Sequence, residues 1–318
     1  MWASYGADDT NTPLLADGYI LPAMLLHGVC TIALTPFSEN GDVDEAGIGS
    51  LSELYLGAGV HGVTVLGIMG EAHKLSDAER ALVTERYLSA IAGRVPVVVG
   101  CSAPATRVAT ERAREAEAAG AAAVMVAPPN NVGNLNLVFE HYRRVAEAIS
   151  VPVVVQDEPV NTGVVMPAAF LARLVDEIEG CRHIKLEEAP TTIKTSALLQ
   201  AASSSVSVFG GLGGMYFYEE LSRGAAGIMT GFAYGEVLVE TYGLFAGGEK
   251  DQAREHFYRH LPLIRFEAQL GVGGVGIRKE VFRMRGAISS SHVRFPAPAL
   301  DERTLRELEE LVALLGLG

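Results

Sequence analysis

The feature that most constrains the fold of this chain is a regular alternation between short apolar runs and longer amphipathic segments. Eight runs have the length of a β-strand and are almost continuously hydrophobic: Val29–Leu34, Gly62–Leu66, Val95–Val99, Ala122–Val126, Val151–Val155, Arg182–Leu186, Val206–Phe209 and Gly227–Met229. Such continuity is typical of parallel strands that are buried on both faces. The alternation therefore predicts a parallel α/β architecture.

The segments between the apolar runs carry the signals of helices. Ser76 is followed three residues later by Glu79, which is a capping-box pattern. The segment 105–120 is rich in Ala, Arg and Glu and ends at Gly120, a typical helix C-cap. Eight strand–helix units, with no GxGxxG turn after the first strand, favour a closed (β/α)8 TIM barrel over an open doubly wound sheet.

Two further parts flank the predicted barrel, which we place at residues 27–234. Residues 1–26 contain three aspartates and no basic residue, and they lack the charged-then-apolar order of a signal peptide. We expect them to form an N-terminal arm. After residue 234 the pattern becomes entirely helical, which predicts a C-terminal helical extension over residues 235–318.

Charge and cysteine content exclude several classes of function. The net charge of −13 argues against nucleic-acid and anionic-membrane partners, which need a basic surface, but a locally positive pocket can still take a small acidic substrate. Three scattered cysteines indicate a reducing, cytoplasmic environment and no disulfide framework. His256 and His260 have helical spacing but no accompanying carboxylate ligands, so we expect no metal and no cofactor.

The barrel directs attention to the residues that follow each strand, because active sites of such barrels lie at the carboxyl ends of the strands. Lys185 lies inside an otherwise apolar run, where lysine is normally excluded. Burial disfavours the charged form of an amine, and a neutral amine can form a Schiff base with a carbonyl substrate. The residues alone leave an alternative open, which is a structural lysine paired with a carboxylate at the strand end.

Several segments resemble one enzyme family. Gly28 and Leu34-Thr35-Pro36-Phe37 are similar to the family's opening strand, and Gly67-Ile68-Met69-Gly70-Glu71 is similar to its GTTGE or GSTGE loop. Pro159, Thr162 and Gly163 match positions of its YNxPxRTG loop, and Ile184-Lys185 matches its IKE segment. Arg278-Lys279-Glu280 is similar to part of its C-terminal helices. Together they resemble the dihydrodipicolinate synthase / N-acetylneuraminate lyase family of class I aldolases, over about residues 27–318. The resemblance implies an imine at Lys185, a small 2-keto acid substrate and a homodimer or homotetramer.

The chain departs from the family pattern at positions that handle protons and bind substrate. Ile68 and Met69 replace two hydroxyl residues, and Gln156 replaces the tyrosine of YNxP. Asn161 replaces the arginine that holds the substrate carboxylate in dihydrodipicolinate synthases. Asn130 replaces the second tyrosine of the family's proton relay, in the loop after the fourth strand. We therefore do not expect true dihydrodipicolinate synthase activity.

Other polar residues can take over the proton transfers. Strand side chains alternate, so Glu187 is expected on the same side as Lys185, where its carboxylate could move the proton alpha to an imine. An ion pair with Lys185 is the alternative role for Glu187. Gln156 is expected to hydrogen-bond a substrate oxygen, and Asp157 to act as an acid or base or to support Lys185. The predicted catalytic residues are Lys185, Glu187 and Gln156.

Substrate binding is assigned to the loops around this lysine. The glycines of the loop after the second strand let backbone amides cradle a carboxylate, and the glycine-rich segment after the seventh strand permits close approach of a substrate. The predicted substrate-binding residues are Gly67, Ile68, Met69, Gly70, Asn130, Asn161, Gly210 and Met229.

These observations predict a Schiff-base-forming lyase, either an aldolase or a dehydratase, that acts on a small 2-keto acid or 2-keto-3-deoxy sugar acid. The replaced residues leave a second hypothesis open. It is a non-catalytic barrel that binds a 2-keto acid, or has a regulatory role, and has lost the family's proton relay.

Overall fold

The eight predicted strands close into a parallel barrel in the computed structural model, which describes residues 26–269 and 272–317. Each strand pairs with the next along the chain, and the eighth pairs with the first. The strands are β1 Gly28–Ile32, β2 Gly62–Val65, β3 Val97–Gly100, β4 Ala123–Val126, β5 Val153–Asp157, β6 His183–Leu186, β7 Ser207–Gly210 and β8 Gly227–Thr230. Every residue in them is buried, which explains the continuous apolar runs.

Two strands begin two residues later than the apolar runs predict. β3 starts at Val97 and β5 at Val153, each directly after a proline, Pro96 or Pro152. Proline has no backbone N–H to donate to a neighbouring strand, so the hydrogen-bonded ladder begins after it. β5 compensates at its other end, where it extends to Asp157 and so carries Gln156 within the regular strand.

Helices connect the strands. They are α1 Glu45–Gly57, α2 Asp77–Ile91, α3 Thr106–Ala119, α4 Leu135–Ala146, α5 Pro159–Thr162, α6 Ala168–Glu177, α7 Thr191–Ala201, α8 Phe217–Ser222 and α9 Gly235–Ala246. The predicted capping box is confirmed, since the backbone N–H of Ser76 donates to Glu79 Oε2 at 2.8 Å and the N–H of Glu79 donates to Ser76 Oγ at 3.3 Å. α3 ends at Gly120, whose φ of 101° is the conformation that glycine adopts readily.

The C-terminal part is helical, as predicted. α10 Lys250–Glu267, α11 Val272–Met284 and α12 Glu302–Leu315 follow α9. α9 itself follows β8 and packs against β1, so the division at residue 235 between barrel and extension stays a prediction. Apart from Leu26, the predicted N-terminal arm lies outside the described residues. Nowhere in the described part is a helix both long and apolar enough to span a bilayer.

The barrel interior below the site is packed with apolar side chains. These are Cys30, Ile32, Val98, Ala123, Met125, Val154, Phe209 and Met229. Met229, which we predicted as a substrate-binding residue, is 1% exposed in this layer. Lys185 pairs in register with Gln156 on β5 and with Phe209 on β7, at the upper edge of the packed layer.

Helix α11 ties the C-terminal extension to the loop after β2. Lys279 Nζ lies 2.6 Å from Glu71 Oε1, and Lys74 Nζ lies 3.0 Å from the other oxygen of Glu71. Glu71 and Lys279 are both fully buried. The pair fixes the middle of α11 beside the loop that carries Gly67–Gly70, and so brings a C-terminal segment to the site.

Candidate active site

The three predicted catalytic side chains lie together at the end of β6. Lys185 Nζ is 3.1 Å from Glu187 Oε2, and the two side chains are 7% and 13% exposed. Gln156, the register partner of Lys185 on β5, donates a hydrogen bond of 2.9 Å from Nε2 to the same oxygen of Glu187. This contact is expected whether Glu187 only forms an ion pair with Lys185 or also carries protons. It therefore does not distinguish the two roles, and the catalytic role of Glu187 stays a prediction.

Glu187 occupies space that Gly211 leaves open. A Cβ atom on Gly211 would lie 2.3 Å from Glu187 Cγ and 2.7 Å from its Cδ. These distances are shorter than any ordinary carbon–carbon contact, so a larger residue at position 211 would displace the carboxylate. The glycine-rich segment after β7 thus makes room for a protein side chain, in addition to the substrate approach that we predict for it.

Gly210 faces a different carboxyl group. A Cβ atom on Gly210 would lie 1.7 Å from Oε2 of Glu220, on α8 in the helix layer. Thr191 Oγ1 donates to Glu220 Oε1 at 2.6 Å, and burial raises the pKa of Glu220 to about 7. Glu187 also acts electrostatically on Glu220. The sequence patterns did not single out Glu220, because its position against Gly210 depends on how the short helix α8 packs. The predicted substrate contact of Gly210 stays a prediction.

Asp157 is turned away from Lys185. Its Oδ2 lies 2.6 Å from Lys194 Nζ, which also pairs with Glu188. Burial raises the pKa of Asp157 to about 6, and the charge of Lys194 opposes that effect. The alternation that points Gln156 inward therefore places Asp157 in the outer layer, where it pairs with Lys194 of α7 and makes no ion pair with Lys185.

The loop after β2 borders a cavity of about 600 Å³. Five predicted site residues line it: Gly67, Ile68, Asn130, Gln156 and Asn161. The loop begins at Leu66, whose φ of 58° turns the chain sharply at the strand end. Ile68 is 42% exposed and contributes an apolar side chain to the lining of this cavity. Asn161 donates to Glu158 Oε2 from Nδ2 at 2.9 Å and carries no charge to offer a carboxylate.

Met69 and Gly70 continue the same loop toward the barrel interior. Met69 packs against the apolar layer inside the barrel, and the Gly70 carbonyl accepts a hydrogen bond of 2.6 Å from Thr35 Oγ1. The backbone N–H groups of Ile68 and Met69 have no hydrogen-bond partner among the described residues. These two amides are the free donors of the predicted carboxylate cradle.

Arg278, which we noted only as part of a family-like segment, lies beside the predicted site. It is 4% exposed, and its Nη1 lies 2.7 Å from Met69 Sδ. Its Nε is 3.6 Å from Glu267 Oε2 and has no hydrogen-bond partner among the described residues. Burial lowers the pKa of Arg278, whereas the charges of Glu267 and Glu187 raise it. The guanidinium group thus lies near both the loop after β2 and the Lys185–Glu187 pair.

The chemistry that these groups offer is imine formation at an amine and proton transfer at an adjacent carboxylate. Within residues 26–269 and 272–317, no three or more His, Cys, Asp or Glu side chains are grouped as metal ligands.

Comparison with known proteins agrees with this geometry. The model of the dihydrodipicolinate synthetase family matches residues 25–314. A protein named L-2-keto-3-deoxyarabonate dehydratase from Azospirillum brasilense is 31% identical, over 89% of this chain and 92% of its own length. A dihydrodipicolinate synthase structure from Rhodopseudomonas palustris is 37% identical, with a TM-score of 0.86 over 91% of this chain and 97% of that one. YagE from E. coli K12, solved with pyruvate, is 25% identical with a TM-score of 0.86, over 92% of this chain and all of its own. This chain therefore belongs to the dihydrodipicolinate synthetase family and is a lyase of the class I aldolase type.

Proposed function

We propose that this lyase is a dehydratase, which forms an imine between Lys185 and a 2-keto-3-deoxy sugar acid and then expels water. The observation that carries the proposal is the contact of 3.1 Å between Lys185 Nζ and Glu187 Oε2, which places a carboxylate beside the nucleophilic amine. The similarity to a protein named as a 2-keto-3-deoxy sugar acid dehydratase supports the substrate class. The pyruvate complex of YagE supports a 2-keto acid at this lysine.

The first half of the reaction makes the imine. Lys185 gives a proton to Glu187, and the free electron pair on Nζ attacks the C2 carbonyl carbon of the substrate. The carbonyl oxygen leaves as water with two protons, one from Nζ in the addition intermediate and one that Glu187 received from Lys185. The product is a protonated imine, which withdraws electrons from C3 and lies next to the carboxylate of Glu187.

The second half removes water from the sugar chain. Glu187 takes a proton from C3, and the electron pair of that C–H bond moves to form an enamine. The enamine electrons then form a double bond between C3 and C4, while the C4 hydroxyl leaves as water with the proton that Glu187 held. Hydrolysis of the unsaturated imine returns Lys185 and releases an unsaturated 2-keto acid.

The surroundings of Glu187 are compatible with these proton transfers. Gln156 donates to Oε2 and fixes the carboxylate without exchanging protons itself. The Glu187 side chain is 13% exposed, and its charge acts on the buried Arg278. A single carboxylate that takes a proton from C3 and returns it to the C4 hydroxyl needs no tyrosine relay. Gln156 and Asn130, which replace the two tyrosines of the family pattern, are compatible with such a reaction.

Product analysis on a panel of 2-keto-3-deoxy sugar acids tests this function. Proton NMR of the reaction should show loss of the C3 and C4 signals of the substrate and growth of a dehydrated 2-keto acid. Release of pyruvate and an aldehyde would instead identify an aldolase. Saturable binding of these acids with no product from any of them would favour the non-catalytic barrel.

The resemblance also leads us to infer assembly into a homodimer or homotetramer. Sedimentation velocity at micromolar concentration should give the mass of two or four chains. A sedimenting monomer at all concentrations would contradict this inference.

A further inference from the structure

Arg278 is poorly satisfied for a buried cation. A guanidinium group carries five N–H donors, and the only hydrogen bond that Arg278 makes to a described residue goes to the thioether of Met69, a weak acceptor. Its Nε has no hydrogen bond and lies 3.6 Å from Glu267. A buried charge that lacks partners is costly, and such groups in native proteins normally have a partner or a function.

Glu267 does not fill this need. One of its oxygens accepts a hydrogen bond of 3.0 Å from the backbone N–H of Ala233, and the other has no partner among the described residues. Burial raises the pKa of Glu267 to about 7, although Arg278 lowers it. The carboxyl group therefore balances the charge of Arg278 only in part, and the guanidinium retains capacity for a second anion.

The position of Arg278 indicates which anion it would meet. Its Nη1 reaches the side chain of Met69, in the loop whose amides at Ile68 and Met69 are free. Its Nη2 lies 3.1 Å from the place where a Cβ atom of Gly213 would be, in the loop after β7. Its charge acts on Glu187, the ion-pair partner of Lys185. The guanidinium thus lies between two loops at the carboxyl end of the barrel.

We infer that Arg278 binds the carboxylate of the substrate, together with the free amides of the loop after β2. The inference rests on the proposed function, because the carboxylate of a 2-keto acid is bonded to the carbon that Lys185 attacks. A planar guanidinium suits two-point binding of a carboxylate, and exchanging a thioether for a carboxylate oxygen strengthens its hydrogen bond. Arg278, on helix α11, thus supplies the positive charge for the substrate carboxylate that the uncharged Asn161 lacks.

The test compares pyruvate with its methyl ester, which keeps the carbonyl and lacks the negative charge. Each compound is titrated against the protein with borohydride present, and the concentration for half-maximal covalent adduct is read by intact mass. Arg278→Gln should raise that concentration for pyruvate by roughly tenfold to a hundredfold, as expected for a lost charge-assisted hydrogen bond. The half-maximal concentration for methyl pyruvate should stay close to its wild-type value, because the ester has no carboxylate for Arg278 to bind.

Two further variants distinguish a loss of carboxylate binding from a folding defect. Arg278→Gln removes the ion-pair partner of the buried Glu267, so the double variant Arg278→Gln/Glu267→Gln repeats the titration without that carboxylate. Arg283→Gln is the matched control on the same helix, because Arg283 is half-exposed and pairs with Glu280. It should leave both titrations unchanged. Equal weakening of acid and ester would show a structural role for Arg278, and no weakening of either would also overturn the inference.

Failure of the proposed function gives a different result. If the protein is an aldolase, the adduct titration still applies. If wild-type protein forms no adduct, the inference is judged from the rise in unfolding temperature that pyruvate causes by binding the folded state. Arg278→Gln should abolish this rise, whereas Arg283→Gln should retain it. A rise of equal size in Arg278→Gln, or none in wild type, would contradict carboxylate binding by Arg278.

Discussion

The side-chain nitrogen of Lys185 lies 3.1 Å from Oε2 of Glu187, two residues further along the chain. Gln156 holds the same oxygen from the neighbouring strand. An amine that must lose a proton and a carboxylate that can accept it are therefore in place before any substrate arrives. Preassembly of this kind reduces the reorganisation that the reaction requires.

Replacement of the carboxylate should separate imine formation from turnover. Glu187→Gln keeps the shape of the side chain and its size, so Lys185 should still reach full borohydride trapping with pyruvate, only more slowly because water must then accept its proton. Removal of the proton carrier should lower kcat roughly a hundredfold to ten-thousandfold. Steady-state rates on a 2-keto-3-deoxy sugar acid measure the effect, and an unchanged kcat would exclude Glu187 from the mechanism.

Gly211 provides a test of the position of Glu187 that leaves the carboxylate in the chain. In Gly211→Ala the new Cβ would overlap Glu187 Cγ at 2.3 Å, so the carboxylate must move from its contacts with Lys185 and Gln156. We expect kcat to fall by about tenfold or more, since a displacement of this size is costly for a proton transfer. Gly133→Ala, with no atom within 4 Å of its new Cβ, is the control and should retain wild-type kcat.

Glu220 should make stability depend on pH. Burial raises its pKa to about 7 in the folded protein, above the ordinary value of 4.5. The folded state therefore holds this proton more tightly than the unfolded state. The resulting stability is present at low pH and is lost as pH rises through about 7, with a magnitude of roughly 3 kcal/mol.

Glu220→Gln, which stays neutral, should remove this loss. Urea unfolding between pH 5 and pH 8 would show a flatter stability profile for the variant, whereas the exposed control Glu39→Gln should follow wild type. Parallel profiles of Glu220→Gln and wild type would show that Glu220 does not titrate in this range.

The pair of Lys279 and Glu71 should hold the C-terminal extension to the barrel. Lys279 is fully buried, with Glu71 Oε1 at 2.6 Å, the His292 carbonyl at 2.8 Å and the ring of Phe37 at 4.1 Å. Lys279→Met leaves Glu71 with one cationic side chain in place of two, and we expect a loss of about 3 kcal/mol or more in the free energy of unfolding. The exposed control Lys250→Met should cost less than about 0.5 kcal/mol in the same urea titration.

Local patterns in the sequence were sufficient for the barrel and for part of the site. Eight apolar runs predicted eight strands, because strands buried on both faces have no polar side to interrupt them. The alternation along β6 and β5 predicted that Lys185, Glu187 and Gln156 would share one side, since that rule depends only on the strand itself.

Contacts made by residues distant in the chain could not be predicted in this way. Arg278 reaches the site because α11 returns to the loop after β2. Glu220 faces Gly210 because α8 packs against α7 and β8. Neither arrangement leaves a periodic signal in the sequence. The partner of Asp157 was not foreseen for the same reason, since Lys194 lies on the following helix, α7.

The most direct test of the account is covalent trapping at Lys185. Protein incubated with pyruvate and borohydride should gain the mass of one reduced pyruvyl group per chain, located by peptide mapping on Lys185. Lys185→Arg keeps the charge but cannot form the imine and should gain nothing. Lys194→Arg, at a neighbouring lysine held by Asp157, should be labelled as fully as wild type. An unlabelled wild type across all 2-keto acids, or full labelling of Lys185→Arg, would contradict the account.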